Sequence, residues 1–104
     1  SVHHLPGHTR GMQAVRVGSQ RGAVVLASDV AHYYESFELE TPFMTHEDLF
    51  QMLESHRKLR ALASDNAHIV PGHDPLVMQR YPAPRADLEG IVVRLDVPPK
   101  DGMV

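Results

Sequence analysis

The chain has 104 residues, 10 Lys and Arg against 13 Asp and Glu, and a formal net charge of -3, which bounds it to one domain with a modest core. That balance offers no basic surface for nucleic acid or for an anionic membrane, so neither is expected as a partner. The absence of cysteine excludes a disulfide framework, a thiolate zinc site and a Cys nucleophile, leaving His, Asp and Glu as the strong metal ligands.

No apolar run approaches the roughly 20 residues of a membrane span, and Ser1-Val2-His3-His4 is not a basic region followed by an apolar one. A soluble, cytoplasmic protein is therefore expected. The unusual number is eight histidines, since His is both the commonest metal ligand and the side chain that changes charge near neutral pH.

In chain order, Met12 to Val17 alternates, with Met12, Ala14 and Arg16 on one face and Gln13, Val15 and Val17 on the other, as suits a strand exposed on one side. Gly18 to Gly22 reads as a hairpin loop. The run Ala23-Val24-Val25-Leu26-Ala27 is continuously apolar and short, the pattern of a strand covered on both faces, and it stops at Ser28-Asp29. A helix is predicted from about Thr45 to Ala63. Thr45 stands as its cap, Asp48 as the capping-box partner, and Leu49, Met52, Leu53, His56, Leu59 and Leu62 as its buried stripe.

Asn66 is read as a left-handed residue beyond that helix. Ala67 to Val70 is then a short strand, Pro75 to about Tyr81 a short helix, and Gly90 to Asp96 a last strand. Residues 1–97 make one unit and residues 98–104 a loose tail. The fold class is an α/β (α+β) mixture.

Three strand-to-loop junctions present His8 in LPGHTRG, Asp29 in LASD and His73 in VPGHD. Each lies where a rigid element can project a side chain into a cleft. All three are metal-ligand types, but separations of 21 and 44 residues are far too long for a local finger, so only a tertiary fold can join them. Gly7 and Gly72 permit a sharp turn just before each histidine, and Pro6 and Pro71 stiffen the approach.

These three segments resemble the later ligand motifs of the metallo-β-lactamase superfamily, nearest to its N-acyl homoserine lactonase-like hydrolases, and the resemblance runs over almost the whole chain. It implies an αββα sandwich with a binuclear metal site, usually two zinc ions. By position, His8 is implied as a ligand of the first metal, Asp29 as the carboxylate bridging both, and His73 as a ligand of the second. The superfamily's opening HxHxDH motif does not occur in this sequence. The resemblance therefore implies the C-terminal half of such a domain, with weak or no metal binding and no turnover by the chain alone.

The activity implied is attack by a metal-held hydroxide on a lactone or ester, with N-acyl homoserine lactone the first substrate and quorum quenching the corresponding role. The competing reading is a non-catalytic fragment that self-associates as a homodimer or docks to its missing N-terminal half. Homoserine lactonases usually carry tyrosine three residues after the bridging Asp, a position held here by His32 with Tyr33 adjacent. His32 and Tyr33 are accordingly placed with Asp29 as catalytic groups, while Arg10 and Tyr34 are placed as substrate-binding. The alternative is that His32 and the tyrosines only line or pack the loop, and that Arg10 is a solvated surface residue. Thr9 is read as a support for His8. His3, His4, His46, His56 and His68 are read as terminal, boundary or core residues, and Met12, Met44, Met52 and Met78 as filling.

Overall fold

The computed structural model describes residues 1–100. Strands β1 (Val2–His4), β2 (Gln13–Ser19), β3 (Gly22–Ser28) and β4 (Ile69–Pro71) form a four-stranded sheet in the order β1-β2-β3-β4. The helices are α1 (Tyr34–Glu38), α2 (Leu49–Leu62) and α3 (Leu76–Arg80). β2 and β3 make a tight hairpin in register from Ser19 opposite Gly22 to Val15 opposite Leu26. β1 adds antiparallel to β2, and β4 adds parallel to β3.

The apolar β3 run lies between two neighbours, and Val24, Val25 and Ala27 are buried. One sheet face, bearing Ala14, Val25 and Ala27, closes a core with Leu5, Val30, Tyr34, Phe37, Leu59 and Ile69. On the other face Val15 and Val17 remain partly exposed. A groove there is lined by Val17, Val24, Leu26 and, from the C-terminal segment, Leu95.

α2 begins at Leu49, four residues later than predicted, and its cap is Asp48, whose Oδ1 accepts from the Gln51 amide at 3.1 Å. The reason is local. The amides of Glu47 and Asp48 donate to the Gly7 carbonyl at 2.8 and 2.9 Å, so residues ahead of the helix are held against the His8 loop. The buried positions of α2 are Met52, Ser55, His56 and Leu59. This is a helical stripe rotated slightly from the predicted one, because Leu49 is substantially exposed.

Asn66 is not left-handed; it opens a 3₁₀ turn, Asn66–His68, capped by Asp65. That turn delays the strand to Ile69–Pro71. Among the described residues, the non-glycine residues with positive φ are instead Ser28 (51°) and Glu40 (50°).

The predicted strand from Gly90 to Asp96 does not form. Gly90 turns the chain at φ 79°, and the Ile91 and Val92 amides fold back onto the Leu88 carbonyl. The Arg94 amide reaches Pro82, so no ladder is available, and Ile91 faces solvent. β1 and α1 carried no periodic signal, being three and five residues long. Of the predicted tail, residues 98–100 are irregular, with the Lys100 amide donating to the Arg80 carbonyl at 2.7 Å; residues 101–104 lie outside the described part.

Candidate metal centre

The end of β3 runs through Ser28 in a left-handed conformation, which throws Asp29 out of the sheet. The loop behind it is bound by its own carbonyls. Val30 O accepts from His56 Nε2 at 2.6 Å, Ala31 O from the Gly72 amide at 3.0 Å, and His32 O from the His73 amide at 2.9 Å. Gly72 has room for no side chain, since a Cβ there would stand 2.5 Å from the Ser28 carbonyl oxygen. The Asp29 and His73 loops are therefore clamped backbone to backbone.

Asp29 is the centre of the cluster. His73 Nε2 lies 2.7 Å from its Oδ1, His8 Nε2 3.4 Å from its Oδ2, and His32 Nε2 3.9 Å from its Oδ1. The nearest ligand atoms of His8, Asp29 and His32 all fall within 4.8 Å of one another. The structure thus brings together the three residues expected as ligands, His8, Asp29 and His73, and adds His32 to them.

His8 is oriented from behind, where Nδ1–H donates to the Thr45 carbonyl at 2.7 Å. That bond fixes the tautomer and leaves the Nε2 lone pair facing the carboxylate. Thr45, predicted to cap the helix, instead gives its backbone carbonyl to His8, the support that was expected of Thr9. Thr9 itself lies with Arg10 on a separate depression lined by Gly7, Glu47, Asp48 and Gln51.

His32 is 6% exposed. Its ring stacks on His73 at 5.2 Å, meets His8 edge-on at 5.0 Å and tilts against Phe43 at 4.8 Å. Burial pushes its imidazole below the ordinary His range; the Asp29 carboxylate draws it back up, and His8, His73 and His56 depress it further. Tyr33 stands edge-on to Phe43 at 5.7 Å, so His32, Tyr33 and Phe43 form an aromatic rim beside Asp29.

Two expected substrate-binding residues are placed elsewhere. Tyr34 is 4% exposed and belongs to the core, with the Arg80 guanidinium 3.8 Å over its ring and its hydroxyl pushed up to about 12, chiefly by burial. The position that follows Tyr33 is the first of α1, and the helix turns it inward. The Arg10 side chain is 92% exposed and sits 3.4 Å from the Glu47 carboxylate, away from the Asp29 cluster.

Sequence reasoning missed Phe43, Thr45 and Asp74. Asp74 accepts from the Tyr34 amide at 3.1 Å and from the Leu76 amide at 2.9 Å, tying α1 to the start of α3 directly behind His73. An Asp following His at a strand end was the available signal for it. The other histidines stay outside the cluster. His4 bonds the Arg10 carbonyl, His46 that of Phe43 and His56 that of Val30, while His68 faces Asp65.

Three imidazoles around one carboxylate form an N/O donor set suited to zinc or another borderline divalent ion. The 3.4 Å between His8 and Asp29 is close to the ~3.3 Å edge of a tetrahedron built on bonds of ~2.0–2.1 Å. The residues present therefore fit a metal ion.

No protein-family model matches the chain, and no curated protein does. Among solved structures the class defined is a mixed α and β fold of the metallo-β-lactamase type, as seen in lactonases. In particular, the chain is similar to an N-acyl homoserine lactone hydrolase with the product N-hexanoyl-L-homoserine bound at its catalytic metal center. The identity there is 28% over 75% of this chain and 32% of that one, with a TM-score of 0.66. A mutant of AiiA from B. thuringiensis, with N-decanoyl-L-homoserine bound at the active site, matches with the same identity, coverage and TM-score: 28%, 75%, 32% and 0.66. AidC, a dizinc quorum-quenching lactonase, shares the fold at 20% identity over 72% of this chain and 26% of that one, with a TM-score of 0.56. The chain spans about a third of the length of the structures it matches first. Among the described residues no helix is long and apolar enough to cross a membrane.

Proposed function

We propose that this chain supplies part of the metal site of a zinc-dependent hydrolase that opens a lactone or ester, with N-acyl homoserine lactone as the first substrate. The observation that carries the reading is the convergence of His8 and His73 on the two oxygens of Asp29, at 3.4 and 2.7 Å, from loops far apart in sequence. The similar structures hold the product or its relative at a metal center or active site, which supports this substrate class.

In this reading His8, Asp29 and His73 would hold metal, His8 lying beside one Asp29 oxygen and His73 beside the other. A bound divalent ion supplies a lowered pKa for water and polarisation of the carbonyl. Thr45 holds His8 in its tautomer, and the backbone clamp at Gly72 holds Asp29 and His73 at a fixed separation. Tyr33 and Phe43 border the place where an acyl chain would lie. Buried and largely neutral, His32 faces the same space. Further ligands come from outside the described residues, so the 104-residue chain alone is expected not to turn over. The partly exposed face bearing Val15 and Val17 is where another chain, or a second copy of this one, would pack.

Two measurements test the proposal on the zinc-supplemented chain. The first is ring opening of N-hexanoyl-homoserine lactone followed by proton release. The second is binding of N-hexanoyl-L-homoserine followed by amide shifts at residues 29–33. Product-induced shifts that vanish in Asp29→Asn are expected. No ring opening is expected of the chain by itself, and absence of product-induced shifts would sink the reading.

A further inference from the structure

We infer that His32 is itself a metal ligand, so that this chain alone holds one divalent ion on His8, Asp29 and His32. The inference rests on reading the Asp29 cluster as a metal site, and it changes which residues hold the ion here.

The distances separate the two candidates for the third ligand. Donor atoms sharing a tetrahedral ion with bonds of ~2.0–2.1 Å lie ~3.3 Å apart. His8 Nε2 and His32 Nε2 stand 3.4 and 3.9 Å from Asp29 oxygens, and the three ligand atoms lie within 4.8 Å of one another. Side-chain rotations on the order of 1 Å bring that set onto one ion. His73 falls outside that mutually close set, and its Nε2, 2.7 Å from Oδ1, makes a direct hydrogen bond to the carboxylate instead. It must swing away before it can ligate, and at 56% side-chain exposure it is free to serve as a bond to the carboxylate from outside.

The state of the His32 ring points the same way. Its Nδ1 is buried and has no hydrogen-bond partner among the described residues, while its Nε2 is 3.9 Å from the nearest Asp29 oxygen, beyond hydrogen-bond reach. With the proton on Nδ1, the Nε2 lone pair faces the carboxylate. With the proton on Nε2, a bare Nδ1 lone pair is buried. Neither tautomer satisfies the ring; a cation between Nε2 and Asp29 takes up the lone pair and the carboxylate charge, leaving only Nδ1–H without an acceptor among the described residues. The ring cannot rotate out to water, being held by His8, His73 and Phe43 at 4.8 to 5.2 Å. Two imidazoles and one carboxylate leave an open fourth position, the pattern of a catalytic zinc.

The test is zinc titration of the 104-residue chain against a chromophoric chelator, with ¹⁵N spectra of the histidine rings recorded before and after. Expected are one equivalent of bound zinc and movement of the His8 and His32 Nε2 resonances to metal-bound positions. His32→Gln should weaken zinc at least about tenfold, the scale already seen when only a supporting partner of a ligand is lost, while His73→Gln leaves affinity within a few-fold. The wild-type ring spectra decide the matter even if His32→Gln folds poorly. Unmoved His32 nitrogens at zinc saturation, a loss confined to His73→Gln, or no zinc bound at all would each overturn the assignment. Zinc bound without His32 leaves the lactonase reading standing; zinc bound through His32 without recognition of lactone or product overturns that reading alone.

Discussion

Gly72→Ala is the substitution on which the account of the site most depends. The new Cβ would lie 2.5 Å from the Ser28 carbonyl oxygen, 2.7 Å from its carbon and 3.1 Å from its Cα. Ordinary contact begins near 3.4 Å, so the ends of β3 and β4 must separate by roughly 0.9 Å, and the obstacle is backbone that no rotamer change can move. Overpacking of this kind costs ~1–3 kcal/mol. The same movement stretches the bonds from the Gly72 and His73 amides to Ala31 and His32, at 3.0 and 2.9 Å, each worth ~1 kcal/mol. A loss of ~2–4 kcal/mol is expected, a large part of a small domain's stability. Urea unfolding followed by far-UV circular dichroism measures it, with Gly18→Ala as control because nothing lies within 4 Å of a Cβ there. Zinc affinity should fall with Gly72→Ala, since the loop that carries Asp29 and His32 is held in place by the Gly72 and His73 amides. Equal urea midpoints for the two variants would refute the clamp.

Asp29→Asn keeps the shape of the central side chain and removes its charge; the fold should persist while zinc affinity falls by at least about tenfold in the chelator titration. Ser55→Ala removes the buried bond from Ser55 Oγ to the Pro6 carbonyl, 2.6 Å long, and should cost ~1–2 kcal/mol in thermal or urea unfolding by freeing the approach to His8. His56 is buried with its imidazole pushed below the ordinary 6.5, by burial first and by Arg60 further, against the Val30 bond and Glu40. Its contribution is therefore present above about pH 6.5 and lost as pH falls through the depressed folded value, because the unfolded chain takes up the proton first. His56→Gln should flatten the fall in stability below pH 6.5 without abolishing it, since His32 is depressed in the same direction. Light scattering over a concentration series should show self-association that a charge at Val17 suppresses, since Val15 and Val17 share the open sheet face; a monomer at all concentrations would contradict it.

The residues around Asp29 were legible wherever their signal was local. Two Pro-Gly-His turns and an apolar strand ending in Ser-Asp mark His8, His73 and Asp29 without reference to the rest of the chain. The remainder was illegible for definable reasons. The acceptor that orients His8 is the Thr45 backbone carbonyl, a group every residue possesses. Tyr34 and Tyr33 are neighbours of the same type, and only the start of α1 decides that one turns into the core while the other stays at the rim. The segment from Gly90 to Asp96 has strand composition but finds no free neighbour to pair with, since the Arg94 amide bonds Pro82 instead. β-propensity reports fit to a half-buried surface, which this segment does not meet.

The parallel pairing of β4 on β3 also orders events in time. β2 and β3 meet through a two-residue turn and can close within microseconds. Joining His73 to Asp29 spans 44 residues and costs about 2 kcal/mol more in loop closure. β4 offers only Ile69 to Pro71 in return. The hairpin therefore forms early and the cluster late, and the last long-range pairing to be made is the first to open. Amides of Ile69 and Val70 should exchange with solvent sooner than those of Val24 and Val25, while an ion held by His8, Asp29 and His32 should slow exchange in the loop after β3 rather than in β4.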